Sequence, residues 1–221
     1  MLVWVSGDNP MTKLQEERSA ETRGRLIEAA VDCLFERGYA GVTTAEVAER
    51  AGLSKGAQLH HFPSKTLMVV AALEHLFALR VAASRDLQTS RELPANKKDR
   101  LAAIIDLLIP VYHDKVFYAW LELVVASRTD LALREAIGRA SERFSVQILE
   151  IWKELFGSPA DDPVEFRLVD RFVNGQFAAM ALGGILAGGD EDPAESAEII
   201  EHLKKIAPSA LPAAKSKRRT P

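Results

Sequence analysis

The sequence predicts an all-α protein of about nine helices, and two observations carry that expectation. Apolar residues recur three and four positions apart over most of the chain, the spacing that lines one face of an α-helix. No segment shows the sustained apolar/polar alternation, bounded by turn residues, that a half-buried strand requires.

The elements follow in order. In "RGRLIEAAVDCLFERGY" the residues Leu26, Ile27, Ala30, Val31, Leu34 and Phe35 form a helical stripe, and Gly38 supplies the stop, where the chain needs positive φ. Residues 1–18 ahead of it are expected to be a flexible extension. In "TTAEVAER" Thr43 and Glu46 have capping-box spacing, with Val47 and Ala48 on the buried side. Gly52 closes this short helix, and Ser54 caps a third one after a turn of about three residues. A short helix, a glycine-containing turn and another short helix is the outline of a helix-turn-helix.

Pro63 ends the third helix. Ser64 caps a fourth, "KTLMVVAALEHLFALRVAASRDL", which has no breaker and is long enough for a strut between two parts of the molecule. "RELPANKKD" reads as a connector with Asn96 capping a fifth helix, which Pro110 kinks or ends. Asp114 caps "KVFYAWLELVVAS", and Thr129 or Asp130 starts a long helix through Phe156. "GSPADDP" is a loop by composition. Two more helices follow, "VEFRLVDRFVNGQFAAMALGGILAG" and, after "GDEDP", "AESAEIIEHLKKIA". Residues 209–221, rich in Ala, Pro, Lys and Arg, are expected to be a disordered basic tail.

Composition narrows the class. At 221 residues the chain holds one fair-sized core, or a small domain joined to a larger one. The single cysteine, Cys33, excludes an intramolecular disulfide and leaves a Cys-based zinc site without support; its place in an amphipathic stretch suits packing. The first ten residues lack the basic start, long apolar centre and cleavage pattern of a secretion signal. No run approaches the roughly 18 apolar residues that a bilayer span requires. A cytoplasmic protein without membrane contact is expected. Charge is uneven: ten basic and nine acidic side chains over residues 13–85 give +1, fourteen and twenty-one over residues 86–208 give −7, and the tail carries +4. A polyanion-binding role therefore has to rest on where individual cations stand rather than on a basic patch.

The stretch "SKGAQLHHF", residues 54–62, concentrates polar chemistry. Adjacent His60 and His61 lie about 100° apart around a helix, so they are badly placed to share one metal, and no Cys or carboxylate cluster is spaced to help. No metal and no cofactor is expected. A nucleophile, base and orienting group are missing as a motif, and Ser54-Lys55 lacks the further spacing of Ser-Lys hydrolases, so the chain does not read as an enzyme.

The run "RLIEAAVDCLFERGYAGVTTAEVAERAGLSKGAQLHHFPSKTLM" resembles the DNA-binding domain of TetR-type (tetracycline-repressor-like) transcriptional regulators. The likeness lies in the Gly-Tyr after the first helix, the Thr-Thr opening the second, "AGLSKGA" at the turn and "HHFPSK" entering the fourth. Beyond these 45 or so residues the match is only one of length and helical pattern. The resemblance implies a helix-turn-helix DNA-binding domain at 19–66 and a helical ligand-binding and dimerisation domain at 67–208. Residue chemistry agrees: a third helix presenting Lys55, Gly56, Ala57 and Gln58 suits the major groove, where small residues let the backbone approach and Lys55 reaches guanine O6 or N7. Ser54 opens that helix. Thr43 and Thr44 offer hydroxyls and backbone N–H groups to phosphate, and Lys65 offers a cation from the other side. Gln58 faces either a base or the protein. By the resemblance, His60 contacts phosphate, His61 and Phe62 pack inward, and Leu59 stands where an aromatic, often tyrosine, contacts phosphate; one phosphate hydroxyl is thus absent here.

The resemblance also implies a small-molecule effector, a homodimer and a palindromic double-stranded operator. Repression relieved by the ligand is the direction it favours, with activation and corepression as alternatives; a ligand-binding helical dimer that has lost DNA binding is the rival reading. Tyr112, Phe117, Trp120, Glu122, Phe144, Gln176 and Met180 are the ligand candidates, drawn from a wider set that includes Trp152 and Phe177. A bulky apolar stripe at helical spacing is more often plain core, and Glu122 is equally compatible with pairing to a neighbouring helix. Gly175, Ala178, Ala179, Gly183, Gly184 and Ala187 permit close approach of another helix, placing the expected dimer contact on the last two helices.

Overall fold

The computed structural model describes residues 10–89, 93–112, 114–156, 163–188 and 193–210. These form nine α-helices and a closing 3-10 turn, with no strand among the described residues: α1 Pro10–Gly41, α2 Thr44–Arg50, α3 Lys55–His61, α4 Lys65–Thr89, α5 Lys97–Tyr112, α6 Lys115–Ala126, α7 Leu131–Phe156, α8 Pro163–Leu186, α9 Pro193–Ile206 and the turn Ala207–Ala210. Most of the expected loop at "GSPADDP", most of "GDEDP" and the tail beyond residue 210 lie outside the described residues, whereas residues 209 and 210, expected in the disordered tail, belong to the 3-10 turn that closes on α9.

Local signals place most boundaries. Ser64 Oγ accepts from the Leu67 N–H at the start of α4, Asn96 Oδ1 from the Lys98 N–H at α5, and Asp130 Oδ1 from the Leu133 N–H at α7. Of the two residues expected to start α7, Asp130 is therefore the cap. Pro110 lies inside α5, which closes two residues later at Tyr112. A larger departure is at the N-terminus: α1 begins at Pro10, so the extension expected to be flexible over 1–18 is helical from residue 10. Residues 11–20 are all exposed. With no buried face there is no apolar stripe to read, whereas Pro at a first helical position and the strong helix formers in "KLQEER" favour the helix.

The chain divides into two compact units, Met1–Leu76 with Tyr118–Ala140, and Phe77–Phe117 with Ser141–Pro221. In the first, α1, α2 and α3 pack on one another. Its core holds Leu26, Ala30, Leu34, Val47, Phe62, Met68, Val69 and Leu73, joined by Leu123 and Leu133. In the second, α5, α8, α9 and the 3-10 turn pack together around Leu101, Ile105, Val173, Phe177, Leu203 and Ala207. Lys204 of α9 reaches Asp106 of α5 at 2.5 Å and Glu201 at 2.7 Å; these bonds, the one to Asp106 first, raise its pKa above the ordinary lysine value.

One helix, over Lys65–Asp86, is long and apolar enough to cross a membrane by length and composition alone. Glu74, His75 and Arg80 interrupt its apolar run, so the span is apolar on average rather than in an unbroken stretch. Core helices of globular proteins pass the same test, and Met68, Val69, Ala72 and Leu73 of this helix are buried in the first unit.

Candidate nucleic-acid interface

Three residues shape the turn between α2 and α3. Thr43, extended at φ −122° and ψ 150°, accepts from the Glu46 N–H at 3.2 Å and caps α2. At the other end the Gly52 N–H donates to Glu49 O and the Leu53 N–H to Ala48 O, both at 2.9 Å. With Gly52 at φ +64° this is a Schellman closure. Ser54 then accepts from the Ala57 N–H at 3.2 Å and caps α3. From α1, the Arg25 guanidinium donates to the Ala51 carbonyl at 2.5 Å, a clamp on the turn that no local spacing announced.

The turn sets which face of α3 is open. Lys55, Gly56, Leu59 and His60 are exposed, at relative positions i, i+1, i+4 and i+5 of one helical face, while Ala57 and His61 are half-buried. Thr43 is exposed and Thr44 half-buried at the start of α2. Gln58, expected to face a base or the protein, faces the protein. It is fully buried, and its Nε2 donates to the Phe62 carbonyl at 2.5 Å, so among the residues expected to contact DNA its side chain is withdrawn. Its sequence position three residues after Lys55 did not reveal this, because burial depends on where α1 and α2 lie.

Behind this face, Phe62 is buried with the Arg23 guanidinium 5.2 Å from its ring centre. His60 and His61 meet edge to face at 5.2 Å. Burial first, then the neighbouring His60 and Arg23, hold the His61 pKa below the ordinary 6.5. Lys65, expected to point a cation at the DNA backbone, donates to the Tyr39 carbonyl and lies 4.2 Å from the Tyr39 ring centre. Burial lowers its pKa. Arg37 pairs with Glu46 at 2.5 Å and Arg50 with Glu36 through two contacts, one of 2.7 Å, so these cations of the unit are offset by acids. Lys55 is the cation on the open face of α3.

The ligand candidates are divided between the two units, Trp120 and Glu122 in the first and Phe117, Phe144, Gln176 and Met180 in the second. The Tyr112 side chain lies outside the description. Glu122 takes the second of its two readings: its Oε2 accepts from the Tyr39 N–H at 3.1 Å, beside Gly38. Within the second unit a cavity of about 140 Å³ is lined by apolar residues including Ile104, Leu108, Ile148, Ile151 and Trp152, with Arg80, Ser84 and Asn174 as polar members. Arg80 donates to Asn174 Oδ1 at 2.9 Å and lies 5.4 Å from the Phe144 ring centre, and Phe144 stacks on Phe77. None of the six ligand candidates with described side chains lines this cavity; Trp152, from the wider aromatic set, does. Phe117 and Met180 are buried, and Gln176 lies on a separate groove with Ile199, His202 and Ile206. Aromatic content marked bulky residues, but only the packing of four helices determined which of them border empty space.

Residues 26–72 match the family described as "Bacterial regulatory proteins, tetR family". The HTH-type transcriptional regulator CymR of Pseudomonas putida is 38% identical over 144 residues, 65% of this chain and 70% of that protein. Two solved structures share the fold: the multidrug binding protein EbrR complexed with imidazole, with TM-score 0.61, 22% identity and coverage of 88% of this chain and 97% of that one; and the transcriptional regulator FadR from Bacillus subtilis in complex with stearoyl-CoA, with TM-score 0.63, 18% identity and coverage of 85% and 98%. Capped helices, a glycine-closed turn and an open α3 face thus coincide with likeness that extends well beyond the turn itself, and the chain belongs to the tetR family of bacterial regulatory proteins, as a DNA-binding transcriptional regulator and not an enzyme.

Proposed function

We propose that this protein is a cytoplasmic, homodimeric repressor that holds a palindromic operator through α3 and leaves it when a small molecule binds in the C-terminal domain. Residues 19–66 are then the DNA-reading domain and 67–208 the effector and dimerisation domain. The observation that carries the reading is the open face of α3, where Lys55 and Gly56 stand exposed on a helix whose start and orientation are held by Ser54, Gly52 and Arg25. In this reading Lys55 and Ala57 meet bases, Thr43, Thr44, Ser54 and His60 meet the phosphate backbone, and Lys65 acts through Tyr39.

Two further features support the reading. Leu182, Ile185 and Leu186 of α8 and Ile199 and Ile206 of α9 are exposed apolar side chains among the small residues of α8, a surface suited to a second copy. A two-fold dimer sets two reading helices about 34–36 Å apart, the spacing of successive major grooves on one DNA face. Sedimentation at micromolar concentration is expected to show a dimer; monomer alone would remove this part of the proposal. The cavity bordered by Trp152 and Arg80 has about the volume that holds one apolar ring, which favours a small, mainly apolar effector. Such a molecule weakens DNA binding by the difference in its affinity for the two conformations.

The test is selection from a pool of random duplexes at moderate salt. Enrichment of an inverted repeat is expected, together with a steep fall in affinity as salt rises, because phosphate contacts release counterions. No enrichment at any salt would move the weight to a ligand-binding dimer without DNA binding. The near-neutral charge of residues 13–85 and the hydroxyl missing at Leu59 are the features that favour that second reading.

A further inference from the structure

We propose that Leu59 is a specificity-determining residue, reading the C5-methyl group of a thymine that lies within two base pairs of the guanine met by Lys55. The inference rests on the reading of α3 as the helix that enters the major groove.

Leu59 is 48% exposed, on a helix whose other inward or capping positions are settled by Gln58, Phe62 and Ser54. Its isobutyl group neither donates nor accepts a hydrogen bond. Set against phosphate, it would strip water from a charge and return nothing, an unfavourable exchange. Set in the major groove, it meets an edge whose one apolar group is the thymine methyl. The surrounding helix allows the approach: Leu59 follows Lys55 by one turn on the same open face, and between them Gly56 adds no side chain. A Cβ built at Gly56 would touch only Ser54 Oγ, at 3.8 Å, so that stretch of the face is open for close contact with bases. Four helical residues rise about 6 Å, and base pairs repeat every 3.4 Å or so, which confines the two contacts to neighbouring steps.

The experiment uses the full-length protein and its selected duplex, with each thymine of one half-site replaced in turn by uracil, which removes the methyl and leaves pairing intact. At one thymine, within two base pairs of a guanine, affinity is expected to fall about fourfold, the factor corresponding to one buried apolar carbon. Leu59→Ala, an exposed substitution whose fold is checked by its melting curve, is expected to bind the thymine and uracil duplexes equally at that position. Equal wild-type binding to every uracil duplex would overturn the proposal, as would a methyl effect that Leu59→Ala retains. Failure of the selection itself to yield any preferred duplex would instead overturn the DNA-reading role on which it stands.

Discussion

The Tyr39 backbone N–H donates to Oε2 of Glu122 at 3.1 Å, joining the end of α1 to α6 across 83 positions of chain. The same tyrosine donates its hydroxyl to Asp130 at 3.3 Å and receives the Lys65 ammonium on its carbonyl. Gly38, at φ +63°, makes the approach possible, since a Cβ there would stand 2.6 Å from Glu122 Oε2. Within the first unit, one residue thus ties α1 to α4, α6 and the cap of α7.

Gly38→Ala is expected to destabilise the protein by about 1–3 kcal/mol, combining left-handed backbone strain with the displaced carboxylate. In a Glu122→Ala background the crowding vanishes and only the strain of about 1–2 kcal/mol remains. Urea unfolding of the four proteins of this cycle measures the difference; strictly additive costs would show that Glu122 does not crowd the site.

Gly52→Ala tests the reading turn. Here φ is +64° and the added Cβ would lie 3.0 Å from Arg25 Nη2, the group that clamps Ala51. A loss of about 1–2 kcal/mol is expected from the backbone alone, with weaker operator binding because α3 is reoriented. Melting curves and band-shift titration read the two effects; unchanged DNA affinity in a destabilised protein would mean that the turn does not set the reading helix.

Lys55 and Lys65 should behave differently despite their equal charge. Lys55→Ala is expected to change the ranking of duplexes, by about 1–3 kcal/mol at its own base pair. Lys65→Ala removes a ligand of the Tyr39 carbonyl and should lower stability and weaken all duplexes alike. Affinities on a panel of single-base operator variants separate these outcomes, and identical profiles for both variants would refute the assignment.

His61 makes stability depend on pH. Its folded pKa is held below 6.5, chiefly by burial, so the folded state prefers the neutral ring and the unfolded chain binds the proton more readily. Its contribution is complete above the unfolded value of about 6.5 and is lost as pH falls from there toward the folded pKa. Urea midpoints at pH 7.5 and 5.5 should therefore differ less in His61→Gln than in the wild type. An unchanged difference would show that His61 has no part in it.

Which of these relationships could be read from the chain follows from their range. Thr43, Gly52, Ser54, Ser64, Asn96 and Asp130 act within a few residues of themselves: a side-chain oxygen meets a backbone N–H two or three positions on, or a glycine turns where other residues resist. Sequence alone therefore determined the helix-turn-helix, most helix boundaries and, through their combination, the family. The tertiary structure decided what lies opposite each side chain. Gln58 turned inward because α3 rests on its neighbours, Lys65 folded onto Tyr39, and Glu122 met the end of α1. The cavity fell to Trp152 and Arg80 instead of the expected aromatics. Helical periodicity identifies an apolar face but not its neighbour, and burial is a sum over contacts from distant parts of the chain; only the packed fold performs that sum.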